Sequence, residues 1–187
     1  MVLPGRTSDN NLYDSRIDMR SIIIQGSSRS VGNTNQIAKI FQAHLDAEII
    51  DLSTKEIHQY SYAHDIDDDF LPLMREVVQY DTIVLITPVY WYAMSGIMKT
   101  FFDRITDCLK IDKETGRKLR TKNMIAVSCG SDHDLTEGFF VPFRNSASYL
   151  GMTYLGDIHT WIENEKPDQE VLDSIDFFMK HINEAHP

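Results

Sequence analysis

Cysteine, long apolar runs and positive charge are what this sequence has least of, and each shortage narrows the class of protein it can be. Only Cys108 and Cys129 are cysteines, and no CxxC spacing occurs. That argues against a disulfide framework, a zinc ribbon or an iron–sulfur centre. Both thiols are expected to be reduced, in the core or on a helix face, in a cytoplasmic protein. No apolar stretch approaches the roughly 20 residues that a membrane-crossing helix needs. The N-terminus has no basic region followed by an apolar core, so no secretory signal is expected either. Lys and Arg number 18 against 28 Asp and Glu, a formal net charge of −10. Without a basic stripe to displace counterions, generic nucleic-acid binding is not expected.

What is present is the composition of a globular domain: 187 residues, 42% hydrophobic and 25% charged, enough chain for one substantial core. Residues 1–18 stand apart, rich in Asn, Asp, Ser, Arg and Gly and without an apolar period. They read as a disordered extension or leader with Met19 a natural start, or else as an arm that packs on a partner subunit. Residues 19–187 read as one domain. Short β-rich runs at Ser21–Gln25, Ala47–Asp51, Thr82–Ile86, Asn123–Ser128 and Thr153–His159 alternate with five segments of helical period. The helical stripes are Ile37/Ile40/Phe41/Leu45, Leu71/Met74/Val77/Val78, Met98/Phe101/Phe102/Ile105/Leu109, Phe139/Phe140/Phe143/Ala147/Leu150 and Val171/Ile175/Phe178/Met179/Ile182. Such alternation predicts an α/β three-layer sandwich: a five-stranded parallel sheet with helices on both faces. In the flavodoxin-like strand order 2-1-3-4-5, a ligand would bind between the first and third strands, beyond their carboxyl ends.

Two loops fall at that point. After the first strand comes Gly26-Ser27-Ser28-Arg29-Ser30-Val31-Gly32-Asn33-Thr34-Asn35, leading into a helix that the pattern starts near Gln36. Small hydroxyl and amide residues feeding a helix N-terminus can surround an anion with N–H donors, and Arg29 adds a forked cation. The loop has neither the GxGxxG fingerprint of dinucleotide folds nor the lysine of a triphosphate loop. After the third strand comes Thr87-Pro88-Val89-Tyr90-Trp91-Tyr92-Ala93-Met94-Ser95-Gly96. Three consecutive aromatics there would cover a flat ligand or meet a partner subunit, and Ser95 with Gly96 is placed to cap the next helix. An anion at one end and a planar body at the other describe a flavin mononucleotide better than a sugar phosphate.

Gly26-Ser27-Ser28-Arg29 through Gly32-Asn33-Thr34, with Pro88-Val89-Tyr90-Trp91 and the following Met94 to Arg104, resemble the NAD(P)H-dependent FMN reductase family of the flavodoxin-like superfamily. The resemblance spans roughly residues 20 to 183. It implies noncovalent FMN, NADPH or NADH as co-substrate, a homodimer or homotetramer, and reduction of a small-molecule acceptor: a flavin, quinone, azo or nitro compound. It further implies that Ser27, Arg29, Ser30, Asn33, Thr34 and Asn35 hold the phosphate. Pro88, Val89, Tyr90 and Trp91 would lie along the ring system, with Gly130-Ser131-Asp132-His133 as a third wall. No residue is expected to act as a covalent catalyst, because the flavin carries the hydride.

Other constellations carry less. Asp65, Asp67, Asp68 and Asp69 lack the glycine and terminal glutamate of an EF-hand and read as a solvated helix N-terminus. Asp132 and His133 read as a helix cap beside an exposed histidine, or as a proton donor. His44, His58, His64, His159, His181 and His186 show no metal spacing. Two further readings of the same fold stay open: an electron-carrier flavodoxin and a non-redox binding module.

Overall fold

A computed structural model of the chain describes residues 20–63 and 66–185. The expected extension at 1–18, Met19, His64, Asp65 and His186 lie outside those residues. Five parallel strands form the sheet: β1 (Ser21–Gln25), β2 (Glu48–Asp51), β3 (Thr82–Tyr90), β5 (Asn123–Gly130) and β6 (Thr153–Trp161). Their order is β2-β1-β3-β5-β6, and a two-residue strand β4 (Ala93–Met94) pairs back on β3. The main sheet is therefore the flavodoxin-like 2-1-3-4-5 order once β4 is set aside. That sixth strand was not expected.

The sheet is covered on both faces because the middles of its central strands, residues 22–24, 83–86 and 124–127, are apolar at every position. Successive side chains alternate between faces, so Ile22, Ile24, Ile83, Leu85, Met124 and Ala126 join one core. Ile23, Val84, Ile86, Ile125 and Val127 join the other. Three helices cover the first face: α2 (Phe70–Val77), α3 (Gly96–Lys110) and α5 (Val141–Leu150). Two cover the second: α1 (Asn33–Leu45) and α6 (Gln169–Ala185). A short helix, α4 (Lys113–Lys118), packs behind α3. The expected stripe on α2 turns by one position. Phe70 and Leu73 are buried with Met74 and Val77, whereas Leu71 is only partly buried.

The acidic run before α2 is a correction. Asp68 is not solvated: its side chain is 1% exposed and accepts hydrogen bonds from both terminal nitrogens of Arg104. Arg104, also 1% exposed, further donates through Nε to Asp107 at 2.6 Å and through Nη1 to the His58 carbonyl at 3.0 Å. Its guanidinium lies 4.9 Å from the centre of the Phe70 ring. Burial works to raise the Asp68 pKa, but the Arg104 contact and the His58 and Phe70 amides outweigh it and hold the carboxyl below its ordinary value. Among the described residues, no helix is long and apolar enough to cross a membrane, and no group of side chains could hold a metal ion.

Candidate functional site

The crevice opens where β1 and β3 part. The Gly26 N–H still bonds the Ile86 carbonyl at 2.8 Å, after which the chain turns off into the first loop. β3 instead continues beside β5 as far as the Pro88↔Cys129 pair. Parallel neighbours that diverge at a change of winding direction leave a cleft at their carboxyl ends.

One side chain fastens both loops to α3. The Ser95 hydroxyl accepts from the Met98 amide at 3.1 Å, capping the helix as expected, and donates to the Gly26 carbonyl. The Ser95 amide donates to the Thr87 hydroxyl at 3.0 Å. Gly26 has to be glycine for this junction to close. A Cβ there would sit 2.7 Å from Cε and 2.8 Å from Cβ of Met98.

Within the cleft, a cavity of about 300 Å³ is lined by Ser27, Arg29, Gly32, Asn33, Thr34, Pro88, Val89, Tyr90, Cys129, Gly130 and Ser131. Both loops and the third wall thus meet around one space. At the polar end, α1 begins at Asn33 rather than near Gln36. Its N-cap residue Gly32 supplies no side-chain hydrogen bond, and its first turn has no acid. The first-turn amides and the positive end of the helix dipole are left facing the cavity. Arg29 is exposed, and among the described residues its guanidinium has no protein partner.

Not every cradle residue faces inward. The Asn35 amide donates to Gln25 Oε1 at 3.0 Å, and the Ser30 hydroxyl lies 3.0 Å from that of Ser53. Asn33 lines the cavity while its side chain donates to the Ile162 carbonyl at 3.1 Å, tying the helix start to the end of β6. Cys129, expected in a core or on a helix face, is buried but forms part of the floor. Burial pushes its thiol up to about 11, so it stays protonated and unreactive at neutral pH.

The aromatic segment is a hairpin, not an open loop. Val89↔Met94 and Tyr90↔Ala93 pair antiparallel, leaving Trp91 and Tyr92 as the two-residue turn. Their φ angles are 48° and 62°, the left-handed values of the tight turns that usually employ Asn-Gly. Holding two aromatics there is strained, of the kind found at ligand-contacting turns. It leaves Trp91 90% and Tyr92 72% exposed. The Tyr90 hydroxyl lies 3.3 Å from that of Ser28, a contact between the two loops.

A second cavity of about 600 Å³ adjoins the first, sharing Val89, Gly130 and Ser131 and adding Trp91, Tyr92, Asp132, Asp134, Leu135 and Thr136. Trp91 therefore lines this space and not the smaller one. Asp132 does not cap a helix, because α5 starts only at Val141. It accepts from the Asp134 amide and the Ser131 hydroxyl, both at 3.0 Å, which tightens the loop on itself and holds the carboxyl below its ordinary value. The loop rests on His159, whose Nε2 donates to the Asp132 carbonyl at 3.0 Å while Nδ1 meets the Ser128 hydroxyl at 2.7 Å. Burial keeps this imidazole below its usual pKa and hence neutral. Gly130 permits the seat, since a Cβ there would stand 2.9 Å from the His159 ring.

Known proteins resemble this chain in sequence and in fold. Residues 19–166 match the family model described as NADPH-dependent FMN reductase. The Bacillus subtilis protein YwqN, which bears the name of an NAD(P)H-dependent FMN-containing oxidoreductase, is 26% identical over 149 residues, covering 74% of this chain and 82% of its own. An FMN-dependent NADPH-azoreductase of Staphylococcus haemolyticus is 32% identical over 98 residues, 46% of this chain and 52% of its own. Among solved structures, the Trp repressor binding protein of Bacillus subtilis superposes with a TM-score of 0.69 over 86% of this chain and 96% of its own, at 21% identity. With the fold, the crevice and a family match over most of the described residues in agreement, the chain belongs to the NADPH-dependent FMN reductases.

Proposed function

We propose that the smaller cavity holds FMN and the larger one admits, in turn, the nicotinamide of NADPH or NADH and a small organic acceptor of the quinone, azo, nitro or flavin type. The observation that carries this reading is the continuity of the two cavities through Val89, Gly130 and Ser131. The smaller has a polar, cationic end suited to a phosphate, and the larger has an aromatic wall open to solvent.

Bound FMN supplies hydride acceptance and donation, chemistry that no side chain of the crevice could perform. The chain's own residues have three tasks. Arg29, Ser27, Thr34 and the uncapped amides of α1 bind the phosphate. Among the described residues, Arg29 is the one Lys or Arg side chain in that cavity's lining, and its guanidinium has no protein acceptor. Asn33 supports the same end through its tie to Ile162, and Ser30 and Asn35 contribute backbone amides, their side chains being engaged elsewhere. Pro88, Val89 and Tyr90 line one side and Gly130 the other, which orients a planar body between β3 and β5. Trp91 and Tyr92 lie in the turn, outside the β3–β4 ladder. Their backbone groups are thus free to meet the polar edge where negative charge collects on reduction.

The test is spectroscopic. Protein supplied with FMN should be yellow after gel filtration and should bleach when NADPH is added without oxygen. Colour should return on adding a quinone or an azo dye. Bound FMN that ignores both NADPH and NADH would favour an electron carrier, and failure to retain FMN at all would remove the reading.

A further inference from the structure

The larger cavity has a charge pattern that the smaller one lacks. Among the described residues, its only charged lining side chains are Asp132 and Asp134, which share the lining with the aromatic pair Trp91 and Tyr92. Asp132 is fixed in its turn by Ser131 and by the Asp134 amide. His133 Nε2 lies 3.3 Å from Asp134 Oδ1, and His133 does not line the cavity. His159, beneath the loop, is neutral. Arg29 lies in the other cavity.

Resting on the FMN reductase reading of this site, we propose that Asp132 and Asp134 make the acceptor cavity selective for cationic and neutral aromatic acceptors and hostile to anionic ones. A positively charged aromatic gains attraction from both carboxylates and from the faces of Trp91 and Tyr92, since cations are drawn to aromatic quadrupoles. A sulfonate or carboxylate on the same ring meets two like charges and no compensating cation. The net charge of −10 adds to the bias at long range and cannot replace the local pair. The reaction itself is unchanged: a quinone takes up a hydride and a proton to become the hydroquinone as NADPH becomes NADP⁺.

Three naphthalenes of one shape and different charge supply the test: 2-naphthyltrimethylammonium, 2-naphthol and 2-naphthalenesulfonate. None is an electron acceptor, so their dissociation constants from the FMN-loaded protein report binding alone. At low ionic strength the cation should bind about tenfold or more tightly than the sulfonate, as two carboxylates within several ångströms of the ligand require. Raising salt to about 0.5 M should shrink the ratio several-fold, because screening then acts over only a few ångströms. Asp132→Asn with Asp134→Asn should bring the ratio near unity, asparagine Oδ1 at 132 keeping the turn's acceptor. Chemically reduced enzyme mixed with trimethylammonium- and sulfonate-bearing naphthoquinones should show the same order in the acceptor half-reaction.

Equal binding of cation and sulfonate by the wild type, or a ratio that survives both salt and the double substitution, would overturn the proposal. Those outcomes leave NADPH bleaching intact and so differ from failure of the FMN reductase reading, in which bleaching itself is absent. Should the double variant not fold, the salt dependence of the wild type decides alone.

Discussion

Arg29 and Arg104 are two arginines in opposite conditions. Arg104 sits on α3 with its charge fully spent on Asp68, Asp107, the His58 carbonyl and the Phe70 ring, 1% exposed. Arg29 sits in the crevice, exposed, with no protein acceptor among the described residues. A buried cation without partners would cost several kcal/mol, so Arg104 exists only together with its carboxylates. An arginine held in a cleft and paired with nothing is available to a ligand instead. The difference separates a group that holds the fold from one left open for the phosphate we propose, although both lie in segments that resemble the family's motifs.

The sharpest way to break that distinction is Arg104→Met. It removes the guanidinium that bonds the buried carboxylates of Asp68 and Asp107, a loss of about 3–5 kcal/mol, read as a lower urea midpoint. Adding Asp68→Asn should recover part of it. The fraction that stays folded should retain FMN as the wild type does. A stable Arg104→Met chain that loses FMN would reverse the roles given to the two arginines.

Arg29→Ala is the complement, with a smaller effect and on another quantity. Stability without FMN should shift by less than about 0.5 kcal/mol, as for an exposed surface change. FMN affinity should fall by roughly ten- to a hundredfold, the worth of about 1.5–3 kcal/mol for a hydrogen bond to a charged group. Quenching of flavin fluorescence during titration measures it directly. Unchanged affinity would move the phosphate elsewhere.

How far such roles are legible before a structure depends on whether they are written locally. The buried strands are: Ile22 to Ile24 and Ile83 to Ile86 are apolar on both faces, which only a doubly covered parallel strand requires, and their parity sorts them into the two cores. The convergence of the Gly/Ser/Arg loop and the aromatic segment on one cavity is legible too, because strand order alone brings the loops after β1 and β3 together. Direction is not. Asn35 has the right chemistry for a phosphate but is claimed by Gln25, and Ser30 lies against Ser53. β4 was invisible because a turn of Trp91 and Tyr92 at positive φ lacks the Asn-Gly that marks such turns. Asp68 looked solvated because its partner Arg104 is far away in sequence, and a run of acids carries no sign of which member turns inward.

Acid makes the last and smallest test, since Asp68 and Asp132 are both held below the ordinary carboxylate value but for different ends. For Asp68, burial opposes the shift and the Arg104 contact with two backbone amides overcomes it. The unfolded chain therefore takes up a proton there before the folded one does. Stability from this group is complete above the ordinary value of about 4 and is lost as pH falls through the lower folded value. For Asp132 the cause is the Ser131 hydroxyl and the Asp134 amide on an exposed loop, where solvent screens the consequence for the fold. Urea midpoints between pH 7 and pH 3 should thus fall less steeply for Asp68→Asn, already weakened at neutral pH, than for the wild type. Asp132→Asn should track the wild type throughout. Parallel curves for Asp68→Asn and wild type would mean that the buried pair contributes nothing that titrates, leaving Arg104 held by Asp107, the His58 carbonyl and the Phe70 ring.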